Sequence, residues 1–305
     1  MTLSDYLIMV TISQYSSITM TADALYLTKS AVSHSLAKIE KELGLPLFNR
    51  STKSVSLTTY GEQLLPFATA VLNEDRKFRD QIHSLQGLES GIVRIGTNSS
   101  ICSNWIPGIL NSFRKEFPNI ELQVRSGACN QEIIEWLIRN EIDIGIGCSD
   151  ANPAIDIEEV YQDEMICITD PYFRPKNTNY VVAEDVKKTP LLIQEYPYNE
   201  EVLKVLSNLN MTSDTCFTGY DDTTLIAMVE SGMGYCIQGK LVMKRITAAV
   251  QVFSFEPKQY RNIAILLKHG IQQAAATKEM CRYIRNYAKN FPTAYELDLL
   301  FVPER

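Results

Sequence analysis

The sequence predicts an N-terminal helix-turn-helix with a two-stranded wing, then one long linker helix, then a C-terminal α/β domain. Two helical patterns near the N-terminus are separated by a very short connection, as in a helix-turn-helix. Apolar residues then recur at heptad spacing through one long helical segment. From Gly91 onward, strand patterns alternate with amphipathic helical patterns, which is typical of an α/β domain.

The helix-turn-helix prediction depends on the stretch SSITMTADALYLTKSAVSHSLAKIEKELG. Its first part is typical of a short helix, and YLT forms a tight connection. Val32, Leu36 and Ile39 then follow at helical spacing and predict a second helix that buries one face. Thr28 is placed to cap this helix at its start, and Gly44 is placed to end it. The opposite face begins with short polar side chains, which predicts a surface that contacts another molecule.

The next segment predicts the wing and the start of the long helix. PLFNRSTKSVSLT is typical of two short strands, with Val55 and Leu57 facing inward and two basic residues near the tip. Thr58 or Thr59 is expected to cap the long helix, and Glu62 is spaced to form a capping box with Thr59.

A heptad seam is predicted along the long helix. Its members are spaced alternately four and three residues apart: Leu64, Ala68, Val71, Asp75, Phe78, Ile82 and Leu85. Packing within one domain is the simpler explanation of such a seam. Because no partner helix lies nearby in the sequence, the seam favours the pairing of two chains. The following stretch, QGLESG, is expected to be a hinge.

The rest of the chain predicts a parallel sheet with crossover helices. The strand patterns are GIVRIGT, IELQVRSG, EIDIGIG, EMICIT, PLLIQE, TCFTGY, YCIQG and NIAILLK. Amphipathic stretches between them predict the helices, and such alternation indicates parallel strands joined by right-handed crossovers. NIAILLK and the helical TKEMCRYIRNYAKNF predict a return of the chain to the first half of the domain.

Composition argues against several classes of protein. The net charge of the 305 residues is −7, but residues 1–58 carry five basic and four acidic side chains, so the acidity lies in the remainder. The seven cysteines show no C-x-x-C spacing, which argues against a disulfide framework and a structural zinc site. The N-terminus has no signal-peptide pattern, and no apolar stretch is long enough to span a bilayer. We therefore expect a cytoplasmic protein with reduced thiols, no metal, no cofactor and no membrane partner.

Residues 16–68 closely resemble the N-terminal region of LysR-type transcriptional regulators. The matching motifs are AVS on the second helix, IEKELG at its end, LFNR before the wing and LTTYG at the start of the long helix. EIDIGIG and ESGMGYCIQG are similar to segments farther along the family's chains. Three departures are the start of the second helix at Thr28-Lys29-Ser30, where the family usually has S-Q-P or S-Q-S, His34, where it often has arginine, and Gly239, where it commonly has proline.

The resemblance implies a DNA-binding transcriptional regulator with three parts: a winged helix-turn-helix domain at 1–58, a dimerising linker helix at 59–87 and an effector-binding domain at 88–305. In the family this last domain has two α/β lobes of periplasmic-binding-protein type, which clamp a small molecule. The lobes are expected here at about 88–163 with 263–292, and at about 164–262. The implied partners are double-stranded operator DNA, a small-molecule effector and further copies of the chain, in a homodimer or homotetramer.

The polar face of the second helix supplies most of the DNA contacts that the resemblance implies. Its N-terminal end is the part that enters the major groove in this motif. Lys29 can donate to guanine O6 or N7, and serine hydroxyls can contact bases or phosphates. Two wing residues resemble those that touch phosphate or the minor groove. The predicted DNA-binding residues are Thr28, Lys29, Ser30, Ser33, His34, Arg50 and Lys53.

An effector site is predicted beyond the C-terminal ends of the strands, where ligands bind in open α/β sheets. Ser99 and Ser100 precede a helix whose free N–H groups can hold a carboxylate, so an anionic effector is expected. The alternative is that the serines only cap this helix. Asp222 and Thr223 border the same cleft and are also placed to cap a helix. The predicted effector-binding residues are Ser99, Ser100, Ala128, Cys129, Cys148, Gln194, Asp222 and Thr223.

Three alternatives to an effector-controlled regulator were weighed. Cys129 and Cys148 lie at predicted strand ends, so one alternative is a redox-sensing regulator that uses either thiol. A solute-binding module for transport is the second, but it would need a secretory signal and no helix-turn-helix. The third is an enzyme. The sequence has no G-x-S-x-G, P-loop or His-Glu metal spacing, so no catalytic or metal-binding residue is predicted.

Overall fold

The chain forms two separately packed units, Met1–Gln86 and Gly87–Arg305. The structure is a computed structural model that describes residues 1–50, 55–85, 91–127, 129–194, 200–211, 215–219 and 221–292. None of the helices in these ranges is long and apolar enough to cross a membrane.

Three helices surround the core of the first unit: α1 (Leu3–Tyr15), α2 (Ile18–Ala24) and α3 (Lys29–Leu43). Helix α1 was not predicted from the sequence, because its apolar residues lie on both its buried and its exposed faces and form no single stripe. Its start is fixed by a capping box: the Thr2 hydroxyl accepts from Asp5 N–H, and the Asp5 carboxylate accepts from Thr2 N–H at 2.7 Å.

The predicted helix-turn-helix is confirmed in α2 and α3. Val32, Leu36 and Ile39 are fully buried in the core of the unit. The Thr28 hydroxyl accepts a hydrogen bond from Ala31 N–H at 3.1 Å and so caps α3. Gly44 ends the helix with φ 69°, a left-handed conformation that glycine adopts without strain.

The wing is also confirmed as two antiparallel strands, β1 (Phe48–Arg50) and β2 (Val55–Leu57). Val55 and Leu57 pack against the core, as expected, and Ser56 between them is exposed. Glu40 of α3 accepts hydrogen bonds from the N–H groups of Leu47 and Phe48, at 2.8 and 3.1 Å. Helix α3 therefore holds the start of the wing.

The linker helix is α4 (Thr59–Leu85). Its cap is Thr58, whose hydroxyl accepts from Gly61 N–H at 3.1 Å and donates to the carbonyl of Pro46 at 2.7 Å. The predicted capping box between Thr59 and Glu62 is wrong, because Thr59 is already helical and Gly61 stands at the third helical position.

Glycine is required at position 61 by a close approach of two backbones. A Cβ on Gly61 would lie 2.2 Å from the carbonyl oxygen of Leu47 and 2.8 Å from the side chain of Leu57. This contact joins the first turn of α4 to the residue before β1 and to β2, and it explains why the LTTYG motif has a glycine at this position.

The heptad seam of α4 divides into two parts. Leu64 and Ala68 pack into the core of their own unit. Farther along, Val71, Phe78 and Ile82 are 38%, 67% and 38% exposed. The first part of the seam thus belongs to the fold of the unit, and the second part is an apolar stripe on its surface.

The second unit begins with three parallel strands and their helices. These are β3 (Gly91–Asn98), α5 (Ser99–Asn104), α6 (Ile106–Glu116), β4 (Ile120–Gly127), α7 (Asn130–Ile138) and β5 (Ile144–Cys148). Strand β3 lies between β4 and β5 and is parallel to both. This part of the sheet follows the sequence prediction.

The remaining elements form the second half and return to the first. They are β6 (Ile155–Thr169), β7 (Tyr180–Val181), α8 (Ala183–Val186), β8 (Leu191–Gln194), α9 (Glu200–Asn208), β9 (Thr215–Gly219), α10 (Asp222–Glu230), β10 (Cys236–Gly239), α11 (Lys240–Met243), β11 (Gln251–Lys268) and α12 (Ala275–Asn290). Strands β8 and β9 pair in parallel as a separate small sheet.

The main sheet is mixed rather than wholly parallel as predicted. Its order is β10-β6-β11-β5-β3-β4, with β7 beside β11, and β11 runs antiparallel to β5 and β6. EMICIT and NIAILLK are only the apolar parts of strands of 15 and 18 residues. The rest of β6 is largely polar, and the rest of β11 is interrupted by Glu256, Pro257 and Lys258, so their length and antiparallel pairing were not predicted.

The predicted two-lobed α/β architecture is confirmed. Lobe I contains β3, β4 and β5, with a core that includes Trp105 and Phe113. Lobe II contains β7 to β10, with a core that includes Tyr235 and Phe255. Strands β6 and β11 pair along their length and run through both lobes.

We predict that Gly61→Ala destabilises the first unit by about 1–3 kcal/mol, because the new methyl group overlaps a backbone carbonyl that cannot move without shifting the wing. Amide hydrogen exchange of α1 in the full chain measures the opening free energy of this unit. The exposed neighbour Glu62 provides the control, and Glu62→Ala is expected to change that free energy by less than about 0.5 kcal/mol. Equal protection of α1 in both variants would contradict the close approach.

Candidate functional site

The polar face of α3 comprises Thr28, Lys29, Ser30, Ser33 and His34. All except the half-buried Ser33 are exposed, and the hydroxyls of Thr28 and Ser30 lie 3.1 Å apart. The face opposite is buried in the core. The fold therefore leaves the start of α3 free to enter a groove of DNA, with a lysine, hydroxyls and an imidazole as its polar groups.

Tyr26 is an exposed residue beside this face that the sequence analysis did not name. It lies in the turn between α2 and α3 with φ 54°, and its side chain is 97% exposed. The short YLT connection is the signal that could have found it, because so tight a turn needs a left-handed residue.

The wing contributes less to the described surface. The backbone of Arg50 pairs with Val55 in the two-stranded sheet. The Arg50 side chain and the whole of Lys53 lie outside the described residues. Their predicted DNA contacts stay predictions.

A cavity of about 310 Å³ lies between the lobes of the second unit. Five of the predicted effector-binding residues line it: Ser99, Ser100, Cys129, Gln194 and Asp222. Further described lining residues, which the sequence analysis missed, are Asn98, Gly127, Asn130, Asp150, Glu200, Glu201, Asp221, Gln238, Val242 and Arg261. Cys148 and Thr223 are not part of this described lining, and Ala128 lies outside the described residues.

Arg261 is the central buried group of this cleft. It lies opposite Asp163 in the β11–β6 register, with Nε and Nη2 each 2.9 Å from Asp163 Oδ2. Its Nη1 donates to Glu201 Oε2 at 2.9 Å, and Nη2 donates to Ser100 Oγ at 3.1 Å. Burial alone would lower the pKa of Arg261, but the Glu201 and Asp163 carboxylates raise it well above its usual value. The guanidinium is therefore a buried cation with a partner at each of its three nitrogens.

Asp163 has a second hydrogen-bond partner, and its pair with Arg261 requires a glycine at position 239. It accepts a hydrogen bond from Leu241 N–H at 3.2 Å, and burial raises the pKa of its carboxyl while Arg261 opposes that rise. A Cβ on Gly239 would lie 2.4 Å from both Arg261 Cζ and Asp163 Oδ2. The glycine that departs from the family's common proline is thus required by this ion pair.

The two serines do not cap α5. Asn98 is the N-cap residue, and Ser99 and Ser100 are the first residues of a helix only six residues long. Ser100 Oγ accepts from Arg261, and Ser99 Oγ donates to Asp222 Oδ2 at 3.5 Å. The alternative of a pure capping role is therefore wrong.

The capping role expected of Asp222 and Thr223 in α10 is also wrong. Asp221 is the cap, since its carboxylate accepts from Thr224 N–H at 2.8 Å. Asp222 is the first residue of the helix, and its carboxylate is left for the cleft.

The two candidate cysteines are held in environments that keep them as thiols. Cys148 is buried, its sulfur is hydrogen-bonded to Glu201, and burial raises its pKa well above the usual value. The Asn130 side chain makes two hydrogen bonds to the backbone of Cys148: Nδ2 donates to the carbonyl at 3.0 Å, and Oδ1 accepts from the N–H at 2.9 Å. Burial also raises the pKa of Cys129. Reactive cysteines need the opposite shift.

The lining of the cleft is acidic. It contains five carboxylates, from Asp150, Glu200, Glu201, Asp221 and Asp222, and Arg261 is the one lysine or arginine among its described residues. Lys204 pairs with Asp150. These charges do not favour the anionic effector expected from the sequence. No group of three or more metal-ligating side chains is arranged to hold a metal within the described parts of the chain.

Comparison with known proteins gives the same assignment for both units. Residues 3–62 match the family model of the bacterial regulatory helix-turn-helix proteins of the lysR family, and residues 86–289 match the LysR substrate binding domain. The uncharacterized HTH-type transcriptional regulator YvbU of Bacillus subtilis is 26% identical over 283 residues, which cover 91% of this chain and 96% of that protein.

Solved structures share the fold. Full-length CbnR complexed with its target DNA has a TM-score of 0.70 at 15% identity, and the match covers 94% of this chain and 100% of that chain. HinK, a LysR family transcriptional regulator from Pseudomonas aeruginosa, has a TM-score of 0.58 at 19% identity, with coverage of 93% and 98%. Since the family models match most of the sequence, in the order in which its two units occur, the chain belongs to the LysR family of DNA-binding transcriptional regulators with an effector-binding domain.

Proposed function

We propose that this chain regulates transcription by binding double-stranded operator DNA through the α3 face and a small-molecule effector in the cleft between its lobes. The observation that carries the DNA-binding part is the division of α3 into a buried apolar face and an exposed polar face. CbnR, which shares the fold, was solved with its target DNA. Lys29, Ser30 and His34 are then the first candidates for contacts to bases, and Arg50 and Lys53 for contacts of the wing.

The proposed assembly is a homodimer through α4, or a homotetramer through further contacts of the effector-binding domain. The exposed stripe of Val71, Phe78 and Ile82 supports it, because a seam of this spacing is stabilised by a second copy of itself. We place the functional boundaries at 1–58 for the DNA-binding domain, 59–87 for the linker helix and 88–305 for the effector-binding domain.

Effector control fits a cleft that both lobes line. Ser99 and Ser100 come from lobe I, whereas Gln194 and Asp222 come from lobe II. A ligand that contacts both lobes binds one arrangement of them better than another and so shifts the population towards it. The protein acts in the cytoplasm, where its operator lies, and has no catalytic function of its own.

Control by a small molecule is favoured over redox control by Cys129 or Cys148. A redox switch needs a thiolate, and burial raises the pKa of both thiols. The alternative of a transport solute-binding module is set aside, because the first unit matches a DNA-binding family.

We predict that Lys29→Ala and Ser33→Ala each weaken binding to the preferred site by about 1–3 kcal/mol, because each removes a hydrogen-bond donor from the recognition face. The preferred site is first selected from random duplexes, and affinity is then measured by gel-shift titration. Lys41→Ala, which removes an exposed lysine from the other end of α3, is the control for a general loss of charge. Equal losses of affinity in all three variants would contradict specific contacts of Lys29 and Ser33 with the bases of the site.

We predict that Phe78→Glu combined with Ile82→Glu dissociates the dimer, because it places two negative charges on the exposed stripe of each α4. Sedimentation velocity should show a fall in apparent mass. Leu203→Glu, at an apolar position of α9 that is 45% exposed, should leave the mass unchanged. A double variant that keeps the mass of the wild type would place the main contact outside the stripe.

We predict that hydrogen peroxide changes operator affinity by less than about twofold, because peroxide reacts with thiolates and the pKa of both candidate thiols is raised. Gel shifts before and after treatment measure the affinity. Alkylation near neutral pH, followed by mass spectrometry, should label Cys148 slowly in the folded chain and quickly in urea. Peroxide-dependent DNA binding that is lost in Cys148→Ser would establish the redox alternative.

A further inference from the structure

Asp222 and Glu200 are the two acids of the cleft lining that have neither an ion pair nor a short hydrogen bond among the described residues, and Asp222 faces groups of both lobes. Asp222 is half-buried at the start of α10, where its two oxygens have only long hydrogen bonds. Ser99 Oγ lies 3.5 Å from Oδ2, and Gln194 Nε2 lies 3.4 Å from Oδ1. Charge-assisted hydrogen bonds are ordinarily shorter than 3 Å, so neither group satisfies this carboxylate well.

No cation of the described chain pairs with Asp222. Its oxygens have no lysine, arginine or histidine nitrogen within 4 Å among those residues, whereas Asp150, Asp163 and Glu201 each have an ion pair. A carboxylate withdrawn from water without a partner costs free energy. Burial raises the pKa of Asp222; the positive charge of Arg261 opposes this rise without reversing it, and the Glu201 and Asp221 carboxylates add to it. A positive charge in the cleft would remove this penalty.

Arg261 offers no comparable place for an anion. All three of its nitrogens are occupied, by Asp163, Glu201 and Ser100, at 2.9–3.1 Å. Glu201 sits where the carboxylate of an anionic ligand would bind the guanidinium. An anion entering the cleft would have to displace Glu201 and would then face the carboxylates of Glu200 and Asp222.

We propose that the effector is a small organic cation whose ammonium or amidinium group pairs with Asp222, and that Glu201 excludes anions by holding Arg261. This inference rests on the proposed effector cleft and specifies the chemistry that the cleft selects.

Other groups of the cleft fit a donor-rich ligand. Glu200 and Asp221 add acceptors on the lobe II side, and the buried Asn98 Oδ1 accepts no hydrogen bond among the described residues. Val242 supplies an apolar wall. The volume of about 310 Å³ lies at the lower end of the range for small-molecule sites, so the ligand is small.

Pairs of compounds that share a shape and differ in charge test this selection. Benzamidine with benzoate, benzylamine with phenylacetate, and butylamine with butyrate are titrated into the full chain near neutral pH, at concentrations up to roughly 20 mM, as suits fragments of this size. Saturation-transfer NMR and calorimetry measure binding. We expect the wild-type chain to bind the cation of each pair and to bind the anion at least about tenfold more weakly.

Two variants assign the preference to its residues. Asp222→Asn keeps the shape and removes the charge, so it should weaken benzamidine about tenfold or more. Glu201→Gln releases one side of Arg261 and should allow benzoate to bind. Glu184→Gln, an exposed acid on α8 of the same lobe, should change neither. The wild-type comparison stands by itself if a variant fails to fold.

Binding of the anions as well as or better than the cations would overturn the proposal. Absence of cation binding at these concentrations, or unchanged benzamidine affinity in Asp222→Asn, would overturn it too. Gel shifts on the same preparation keep this test apart from the proposed function. A chain that binds its DNA site and prefers anions loses only the cation inference, whereas a chain that binds cations but no DNA loses the proposed DNA-binding role.

Discussion

The effector-binding domain depends on one buried ion pair, Arg261 with Asp163. Removing both charges from water is costly, and the cost is offset because each of the three guanidinium nitrogens has a hydrogen-bond partner. Those partners come from separate elements: Asp163 from β6, Glu201 from α9 and Ser100 from α5. Gly239 leaves the space that the pair needs. One desolvated cation therefore joins strand β6 to the helices that carry Ser100 and Glu201 in the cleft lining, and removing the Asp163 carboxylate would leave the charge of Arg261 poorly paired.

The sequence was sufficient for the parts of the fold that have local signals. Thr28, Gly44 and the buried Val32, Leu36 and Ile39 lie where capping and periodicity require them. Other parts have no such signal. Helix α1 is apolar on two faces, the first part of β6 is largely polar, and Pro257 interrupts β11, whose residues pair with β6 over long separations. Antiparallel pairing across the sheet is a tertiary property, which periodicity within one segment does not contain.

The candidate site shows the same division. Strand-end reasoning located Ser99, Ser100, Gln194 and Asp222 in one cavity, because topology alone brings strand ends together. It did not find Arg261 or Glu201, which are 60 residues apart and each lie in an unremarkable local pattern. The expected charge of the effector followed from a helix start considered alone. The surrounding carboxylates come from other elements, and they reverse the electrostatic argument.

Strands β6 and β11 form an antiparallel ribbon through both lobes, with register shifts between Ser254 and Gln259 and between Ile263 and Ala264. Sliding along such a ribbon is strongly opposed, because a shift of one residue breaks the ladder and turns every side chain to the other face. Twisting and bending keep most of the hydrogen bonds of the ladder. The register shift between Ser254 and Gln259 already interrupts the ladder at one point. The ribbon therefore permits twisting and bending between the lobes more readily than sliding. If the proposed cleft is occupied, we therefore expect the lobes to change their angle rather than to slide past one another.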